Sequence, residues 1–368
     1  MPNLALYRKY RPQKFSEFIG QEHIIQTISN AVAAGTISHA YLFSGPRGSG
    51  KTTLARLLAK AVNCQNYKQG EFEPCNKCSS CLEIAKGISM DLVEIDAASH
   101  RGIDAMRELR DQIGFLPAKS KYKVFIIDEC HQLTKEAANA LLKTLEEPPS
   151  HVIFILATTE VHKMIPTIVS RCHRFDFHKL ELEEIIKKLK RICQGEKIDF
   201  DESALLLIAQ NSEGSLRDAE SLIDQCISFF GKKKKITAKD LKDLLGILET
   251  STISKFVDSL LEKNSKKAIL FLGEQISQGL NLEEFAKSAI FYLRKALLLK
   301  INPDFLNSDF SEFTKEEFEK IKSQAEKFNE KELEKSLEIF IEAEYKMKYS
   351  SIPQLPLELA IIKVCGVV

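Results

Sequence analysis

The sequence predicts an α/β protein with a parallel sheet in its first half and helices alone in its second half. Short, uninterrupted apolar runs occur at residues 40–43, 124–127 and 152–156, as strands buried on both faces require. Beyond Glu181 no comparable series of runs follows, and the apolar residues recur at helical spacing instead. The length of 368 residues is that of two or three domains at roughly 150 residues each.

Local patterns predict the elements between and after these runs. Residues 91–96 and 173–178 predict two further strands, and the amphipathic stripes beyond Gly246 predict a helical bundle. Pro148 and Pro149 end one helix, because proline cannot continue it. A helical pattern runs through Ile24, Ile25 and Ile28. Further predicted helices cover residues 54–62, 103–110, 134–147, 182–193 and 202–209, and two more begin at Ser215 and Thr237.

Charge and cysteine content restrict the classes of function. The chain has 52 Lys+Arg against 51 Asp+Glu, so any contact with DNA must come from local patches rather than from a global field. The N-terminus lacks the apolar core of a signal peptide, and no apolar run approaches the roughly 18 residues of a membrane helix. The nine cysteines are an odd number for a disulfide framework and fit a reducing compartment. We therefore expect a soluble, cytoplasmic protein.

A phosphate-binding motif connects the first apolar run to the helix that follows. The pattern G-x-x-x-x-G-K-[ST] allows the backbone to turn its N–H groups toward phosphate oxygens at the positive end of that helix. Lys51 would reach the β- and γ-phosphates, and Thr52 would offer its hydroxyl to Mg²⁺. The motif therefore predicts a nucleoside-triphosphate site. Its residues are Gly45, Pro46, Arg47, Gly48, Ser49, Gly50, Lys51, Thr52 and Thr53.

Four cysteines crowd into the segment after that helix. Cys64 is followed by Cys75, Cys78 and Cys81, so that two C-x-x-C steps share one thiol. Four soft ligands suit tetrahedral Zn²⁺, and the alternative is a set of unrelated free thiols. No His, Asp or Glu completes an open coordination site in this pattern, which indicates a closed structural zinc module at about residues 64–81.

Polar side chains follow two of the buried strands. Asp128 and Glu129 end one strand, at the edge of the sheet where open α/β sheets bind their ligands. We expect Asp128 to hold Mg²⁺ and Glu129 to polarise the attacking water. Thr158 ends the next strand, where its hydroxyl could bond the attacking water or the γ-phosphate, although a lone threonine more often caps the next segment.

These motifs occur in an order that resembles the clamp-loader branch of the AAA+ ATPases, in particular the motor subunits of bacterial DNA polymerase III. The resemblance is dense over residues 1 to about 245 and thinner in the helical tail, where residues 354–358 are the main similarity. Besides the phosphate loop, the carboxylate strand, Thr158 and the four cysteines, it depends on Tyr10-Arg11-Pro12, Leu141 to Pro149, Ser170-Arg171-Cys172 and Gly214-Ser215-Leu216-Arg217.

The resemblance implies three parts and one activity. The parts are a RecA-like AAA+ core at residues 1–178, a helical lid at 179–245 and a helical collar for oligomerisation at 246–368. The activity is ATP hydrolysis within the DNA polymerase III holoenzyme, by which the sliding clamp is opened and loaded onto primed DNA. The implied cofactors are ATP, Mg²⁺ and Zn²⁺. The implied partners are the delta and delta prime subunits, further copies of the same subunit, the sliding clamp and primer-template DNA, with no membrane.

The resemblance also changes the expected roles of individual residues. Thr158 resembles the sensor 1 position, and Arg217 resembles sensor 2, which touches the nucleotide of its own subunit. Arg171 would be an ordinary surface arginine on its sequence alone, but it resembles the finger that completes a neighbouring subunit's site. The basic arm, residues 8–20, could likewise be merely solvated, but the family's adenine pocket draws on the positions of Tyr10, Arg11 and Ile19.

Three other classes of protein share some of these motifs. Asp128-Glu129-Cys130-His131 has the letters of a DExH helicase, but the chain lacks a second series of buried strands for the other RecA-like half. A stator of the delta prime type keeps the fold without hydrolysing ATP. Because Lys51, Thr52, Asp128 and Glu129 are all present in this chain, the sequence favours hydrolysis. The four-cysteine module argues against the small clamp-loader subunits of archaea and eukaryotes.

Overall fold

The computed structural model describes residues 4–99, 109, 112–231, 235–246, 248–302 and 315–366. The chain divides into two compact units, Met1–Ala238 and Lys239–Val368. The helix predicted at residues 103–110 lies outside the described residues except for position 109. No described helix combines the length and the apolar character that a membrane span needs.

The first unit is built around a parallel sheet of five described strands. In chain order these are β1 (Ala40–Ser44), β2 (Leu92–Asp96), β3 (Lys123–Asp128), β4 (Val152–Thr158) and β5 (His173–Asp176). Their spatial order is β2-β3-β4-β1-β5, and every pairing is parallel. β1 and β4 are buried along their whole length, which explains their uninterrupted apolar sequences. The predicted parallel sheet is confirmed.

Helices flank the sheet and continue the chain beyond it. Those of the first unit are α1 (Leu6–Lys9), α2 (Glu22–Ala34), α3 (Lys51–Val62), α4 (Ser79–Lys86), α5 (Lys135–Glu146), α6 (Pro166–Val169), α7 (Leu182–Glu196), α8 (Glu202–Asn211) and α9 (Leu216–Phe230). Three short 3₁₀ turns lie at Phe15–Glu17, Cys130–Gln132 and Val161–Lys163. Of these helices α1, α4 and α6 lacked a sequence prediction. Helix α4 begins at the N-cap Cys78, whose Sγ accepts the N–H of Cys81.

Two apolar clusters cover the two faces of the sheet. Alternate residues of a strand point to opposite faces, so Phe43 packs on one side with α2 and α3, whereas Leu42 packs on the other with α5. Because both faces are covered, the free polar positions lie at the strand ends. The register pairs Ser44 with Thr158 and Asp96 with Asp128, which brings the carboxyl ends of β1 to β4 to one edge.

The second unit is entirely helical where it is described. Its helices are α10 (Ala238–Leu245, which begins at the unit boundary), α11 (Thr250–Leu261), α12 (Ser265–Ser277), α13 (Leu282–Ile301), α14 (Lys315–Lys327), α15 (Glu330–Met347) and α16 (Leu355–Cys365). Phe256 lies at the centre of its core, with its ring centroid 4.9 Å from that of Phe285 and 6.0 Å from that of Phe340, both edge to face. The predicted helical bundle is confirmed.

Candidate functional site

The phosphate-binding motif forms the turn between β1 and α3. Gly48 and Gly50 have φ angles of 76° and 100°, a region that residues with a Cβ rarely adopt. A Cβ on Gly48 would overlap the Ser215 hydroxyl, and one on Gly50 would lie 2.5 Å from Cζ of Phe18. The glycines therefore allow two other segments, the start of α9 and the arm, to approach the loop backbone closely.

Lys51 is the first residue of α3 and is buried beneath the loop. Its Nζ donates hydrogen bonds of 2.8 Å to the backbone carbonyl oxygens of Gly45 and Pro46. Burial lowers the pKa of Lys51, and the negative charges of Glu129 and Asp128 oppose that change. The ammonium is thus held at the loop by two neutral acceptors, for which phosphate oxygens are chemically suitable replacements.

The next residue meets the carboxylate strand. The Thr52 hydroxyl donates a 2.7 Å hydrogen bond to Oδ2 of Asp128. Thr52 lies on α3, which follows β1, and Asp128 ends β3; in the sheet β4 lies between these two strands. A hydroxyl and a carboxylate are oxygen ligands of the kind that Mg²⁺ prefers. The structure therefore brings together the two residues predicted to hold magnesium, beside the loop predicted to hold phosphate. Thr53 follows half-buried on α3, and Arg47 and Ser49 complete the loop, exposed and buried respectively.

Glu129 is engaged by a residue that the sequence did not indicate. Its Oε2 accepts a 3.0 Å hydrogen bond from the Thr159 hydroxyl and lies 3.4 Å from the backbone nitrogen of Thr159. Glu129 itself has a φ of 49°, a left-handed conformation at the point where β3 ends. The proposed water-polarising carboxylate is therefore held against the end of β4.

His131 links the same group of side chains. Its Nδ1 lies 3.0 Å from the Thr158 hydroxyl and 3.5 Å from Oε2 of Glu129, and its Nε2 lies 3.1 Å from Oε2 of Glu160. The fully buried Thr158 hydroxyl also accepts the N–H of Glu160, the residue that precedes the next 3₁₀ turn. The only sequence signal for His131 was its place after the two carboxylates, which had suggested a helicase instead.

The two candidate arginines lie in different surroundings. Arg171 forms a 2.6 Å ion pair with Glu146 and donates 2.8 Å to the carbonyl oxygen of Thr167. Arg217 is exposed on α9, with its guanidinium carbon 5.0 Å from the ring centroid of Tyr7. Ser215, which approaches Gly48, caps α9 two residues before Arg217, so the structure brings the start of that helix to the phosphate loop.

The arm is hydrogen-bonded to α7, the first helix after the sheet. The Tyr10 hydroxyl donates 2.9 Å to Oε1 of Glu196, and the Tyr10 carbonyl oxygen accepts 2.7 Å from Nζ of Lys188. Burial and the Glu196 carboxylate together raise the pKa of Tyr10 to about 12. Burial also lowers the pKa of Arg11, and both Arg11 and Ile19 are half-buried. The predicted adenine-contacting residues thus lie on a segment with fixed partners.

The four clustered cysteines meet in space. Their Sγ atoms all lie within 4.8 Å of one another, close to the roughly 3.8 Å separation of thiolates around a tetrahedral zinc ion. Burial raises the pKa of Cys81, whereas the N–H groups of Lys77 and Cys78 outweigh partial burial and hold the pKa of Cys75 at about 6. N–H groups pointed at sulfur favour the thiolate form that binds metal. The donor set and its spacing therefore fit a closed zinc site.

Comparison with known protein families covers nearly the whole chain. Residues 20–181 match the model "DNA polymerase III, delta subunit" and residues 184–232 match "DNA polymerase III clamp loader subunit, ATPase lid domain". Residues 236–368 match "DNA polymerase III subunits gamma and tau domain III". The family expected from the sequence motifs is therefore confirmed, and it is favoured over the helicase and stator alternatives.

Individual relatives agree with these models. DNA polymerase III subunit tau of Bacillus subtilis (strain 168) is 43% identical over 369 residues, which cover 98% of this chain and 63% of that protein. The chain thus spans less than two thirds of the length of that relative. DNA polymerase III subunit gamma of Buchnera aphidicola subsp. Acyrthosiphon pisum is 39% identical over 363 residues, which cover 99% of each chain. This chain belongs to the gamma/tau subunit family of DNA polymerase III, a family of clamp-loader ATPases.

Proposed function

We propose that this chain binds and hydrolyses ATP with Mg²⁺ as a motor subunit of the clamp loader, opening the sliding clamp and loading it onto primed DNA. The observation that carries the proposal is the contact between Thr52 and Asp128 at the phosphate loop, with Glu129 immediately beside it. A phosphate cradle, a magnesium-binding pair and a carboxylate for water are the parts that phosphoryl transfer requires.

In this proposal each site residue has one task. Lys51 exchanges its carbonyl partners for phosphate oxygens, and Thr52 and Asp128 hold Mg²⁺, which neutralises charge on the phosphates. Glu129 leaves Thr159 to orient the attacking water, while Thr158 supports the γ-phosphate side. The remaining roles are carried by Arg217 (the nucleotide of the same subunit), Arg171 (the site of a neighbouring subunit) and Tyr10, Arg11 and Ile19 (the adenine side).

The proposed assembly follows the same division of the chain. We assign residues 1–178 to the ATPase core, 179–245 to the lid and 246–368 to the collar, through which the chain would meet delta, delta prime and further copies of itself. ATP can drive clamp opening only if it binds the clamp-gripping state more tightly than the released state. Hydrolysis would then release the clamp around primer-template DNA.

The function is tested by ATP turnover of the assembled complex. With delta and delta prime present, we expect the ATPase rate to rise on addition of sliding clamp and again on addition of primed DNA, because both stabilise the competent state. A coupled phosphate-release assay measures these rates, and unprimed single strands serve as the control. Stimulation by single strands alone, together with duplex unwinding, would instead support the helicase alternative.

Glu129→Gln tests the water-polarising role. The variant should bind ATP as the wild type does but lose turnover by about 10²-fold or more, because an amide cannot accept the proton of the attacking water. Equilibrium binding of a fluorescent ATP analogue and single-turnover hydrolysis give the two quantities. Glu136→Gln, an exposed carboxylate on α5, is the matched control. Unchanged hydrolysis in Glu129→Gln would remove the role assigned to this residue.

Arg171→Ala tests action across a subunit interface. We expect hydrolysis to fall steeply, since arginine fingers contribute about 10³ to 10⁵ in related phosphoryl-transfer systems. Mixing this variant with Lys51→Ala subunits should restore part of the rate, because one partner then supplies the intact site and the other the intact arginine. Arg174→Ala, whose side chain pairs with Asp176, is the control. Mixtures without any recovery would contradict the assignment in trans.

The zinc assignment is tested by metal analysis. The purified protein should contain about one equivalent of zinc, and chelation should release it with the appearance of four reactive thiols, because thiolates bound to zinc are protected. Cys78→Ser should lower the zinc content, whereas Cys365→Ser, in the other unit, should not. A metal-free native protein with four titratable thiols would show that the cluster is not a zinc site.

A further inference from the structure

The loop between the clustered cysteines reaches the arm. Both oxygens of the Glu73 carboxylate accept backbone N–H groups of the 3₁₀ turn in the arm, from Phe15 at 2.9 Å and from Ser16 at 2.8 Å. A carboxylate that accepts two backbone donors makes charge-assisted hydrogen bonds, which are stronger than neutral ones. Glu73 therefore fixes the position of this turn.

A second residue of the cysteine-containing segment also contacts the arm. Nδ2 of Asn76 donates 3.1 Å to the carbonyl oxygen of Gln13, and Asn76 has a φ of 57°. Glu73 and Asn76 lie on either side of Cys75, so the position of this one thiol constrains both contacts. Phe72 adds an aromatic contact, with its ring centroid 6.2 Å from that of Phe15.

The same turn leads to the phosphate loop. Phe15 is buried in the core formed with α2 and α3, and three residues later the ring of Phe18 lies against Gly50. Lys60 of α3 adds a 2.8 Å hydrogen bond to Oε1 of Gln13. A path thus runs from Cys75 along the chain to Glu73, and from Glu73 through contacts with the arm to the backbone that would hold phosphate.

We propose that the cysteine cluster supports the nucleotide site by holding the arm in place, and that Glu73 and Asn76 are the positioning residues that connect the cluster to the arm. The proposal rests on the nucleotide and zinc sites proposed above. With zinc bound, Cys75 is immobilised, and Glu73 can hold the arm without a large entropic cost. Without zinc, residues 65–76 lose this anchor, the arm loosens, and Phe18 no longer supports the phosphate loop.

The competing explanation is that the cluster stabilises only its own segment. The two explanations differ in what the arm does when the cluster or its contacts are altered. If the cluster serves itself alone, removal of zinc leaves the arm and the nucleotide affinity unaffected. If it positions the arm, both change together, and the effect appears in KM for ATP rather than in kcat.

Glu73→Ala is the test variant, with Glu73→Gln as the conservative change and the exposed Glu71→Gln as the matched control on the same loop. Glu73→Ala should weaken binding of a fluorescent ATP analogue and raise KM by about tenfold, with kcat little changed, since two charge-assisted bonds are lost. Glu73→Gln should recover part of the affinity, because its amide oxygen still accepts one N–H. Zinc content and thermal unfolding establish that each variant is folded.

Hydrogen exchange of the wild-type protein and Glu73→Ala supplies a readout that does not depend on nucleotide. The amides of Phe15 and Ser16 should exchange faster in Glu73→Ala and, equally, in wild-type protein after zinc chelation. Unchanged exchange at these amides, or unchanged affinity in a folded Glu73→Ala, would overturn the inference. If the wild type itself binds no nucleotide, the proposed function fails instead, while the exchange result still decides whether the cluster holds the arm.

Discussion

The parallel register of the sheet is the constraint on which the candidate site depends. Because β1, β3 and β4 run in the same direction and end at the same edge, the phosphate loop, Asp128 and Thr158 emerge as neighbours from segments spread over more than a hundred residues of the chain. Both faces of the sheet are covered by apolar packing, which leaves that edge as the place where polar groups collect. The hydrogen bond between Thr52 and Asp128 is a direct result.

The polar network at Glu129 adds a second level of organisation. Thr159 donates to its carboxylate, and His131 lies between that carboxylate, Thr158 and Glu160. A carboxylate that already has a partner must exchange it before it can orient water, at a cost of about 1 kcal/mol for a typical hydrogen bond. That cost is small enough that, in the proposed assembly, contacts made elsewhere by a neighbouring subunit or DNA would offset it.

Some of this organisation could be predicted from the sequence, and the reasons are physical. The strands could be predicted because residues buried on both faces of a sheet must be apolar without interruption. The loop glycines could be predicted because only glycine readily adopts their backbone conformation. The cysteine spacing indicated a metal site because few other constraints group thiols so tightly. The contacts of Thr159, Ser215 and Glu73 could not be predicted, since each joins segments whose proximity exists only in the folded chain. Helix α4 was missed for a related reason: its eight residues are too short for a clear periodic pattern.

The two carbonyl partners of Lys51 bear on how tightly the loop would hold an anion. An anion entering the loop exchanges acceptors for the ammonium rather than supplying its first ones, so the net gain in free energy is smaller than for an unpartnered charge. The reverse also holds, because a departing anion leaves Lys51 with acceptors already at hand. In the proposed function, a loop that closes on itself in this way gives up some tightness of binding in return for faster product release, which suits repeated cycles of clamp loading.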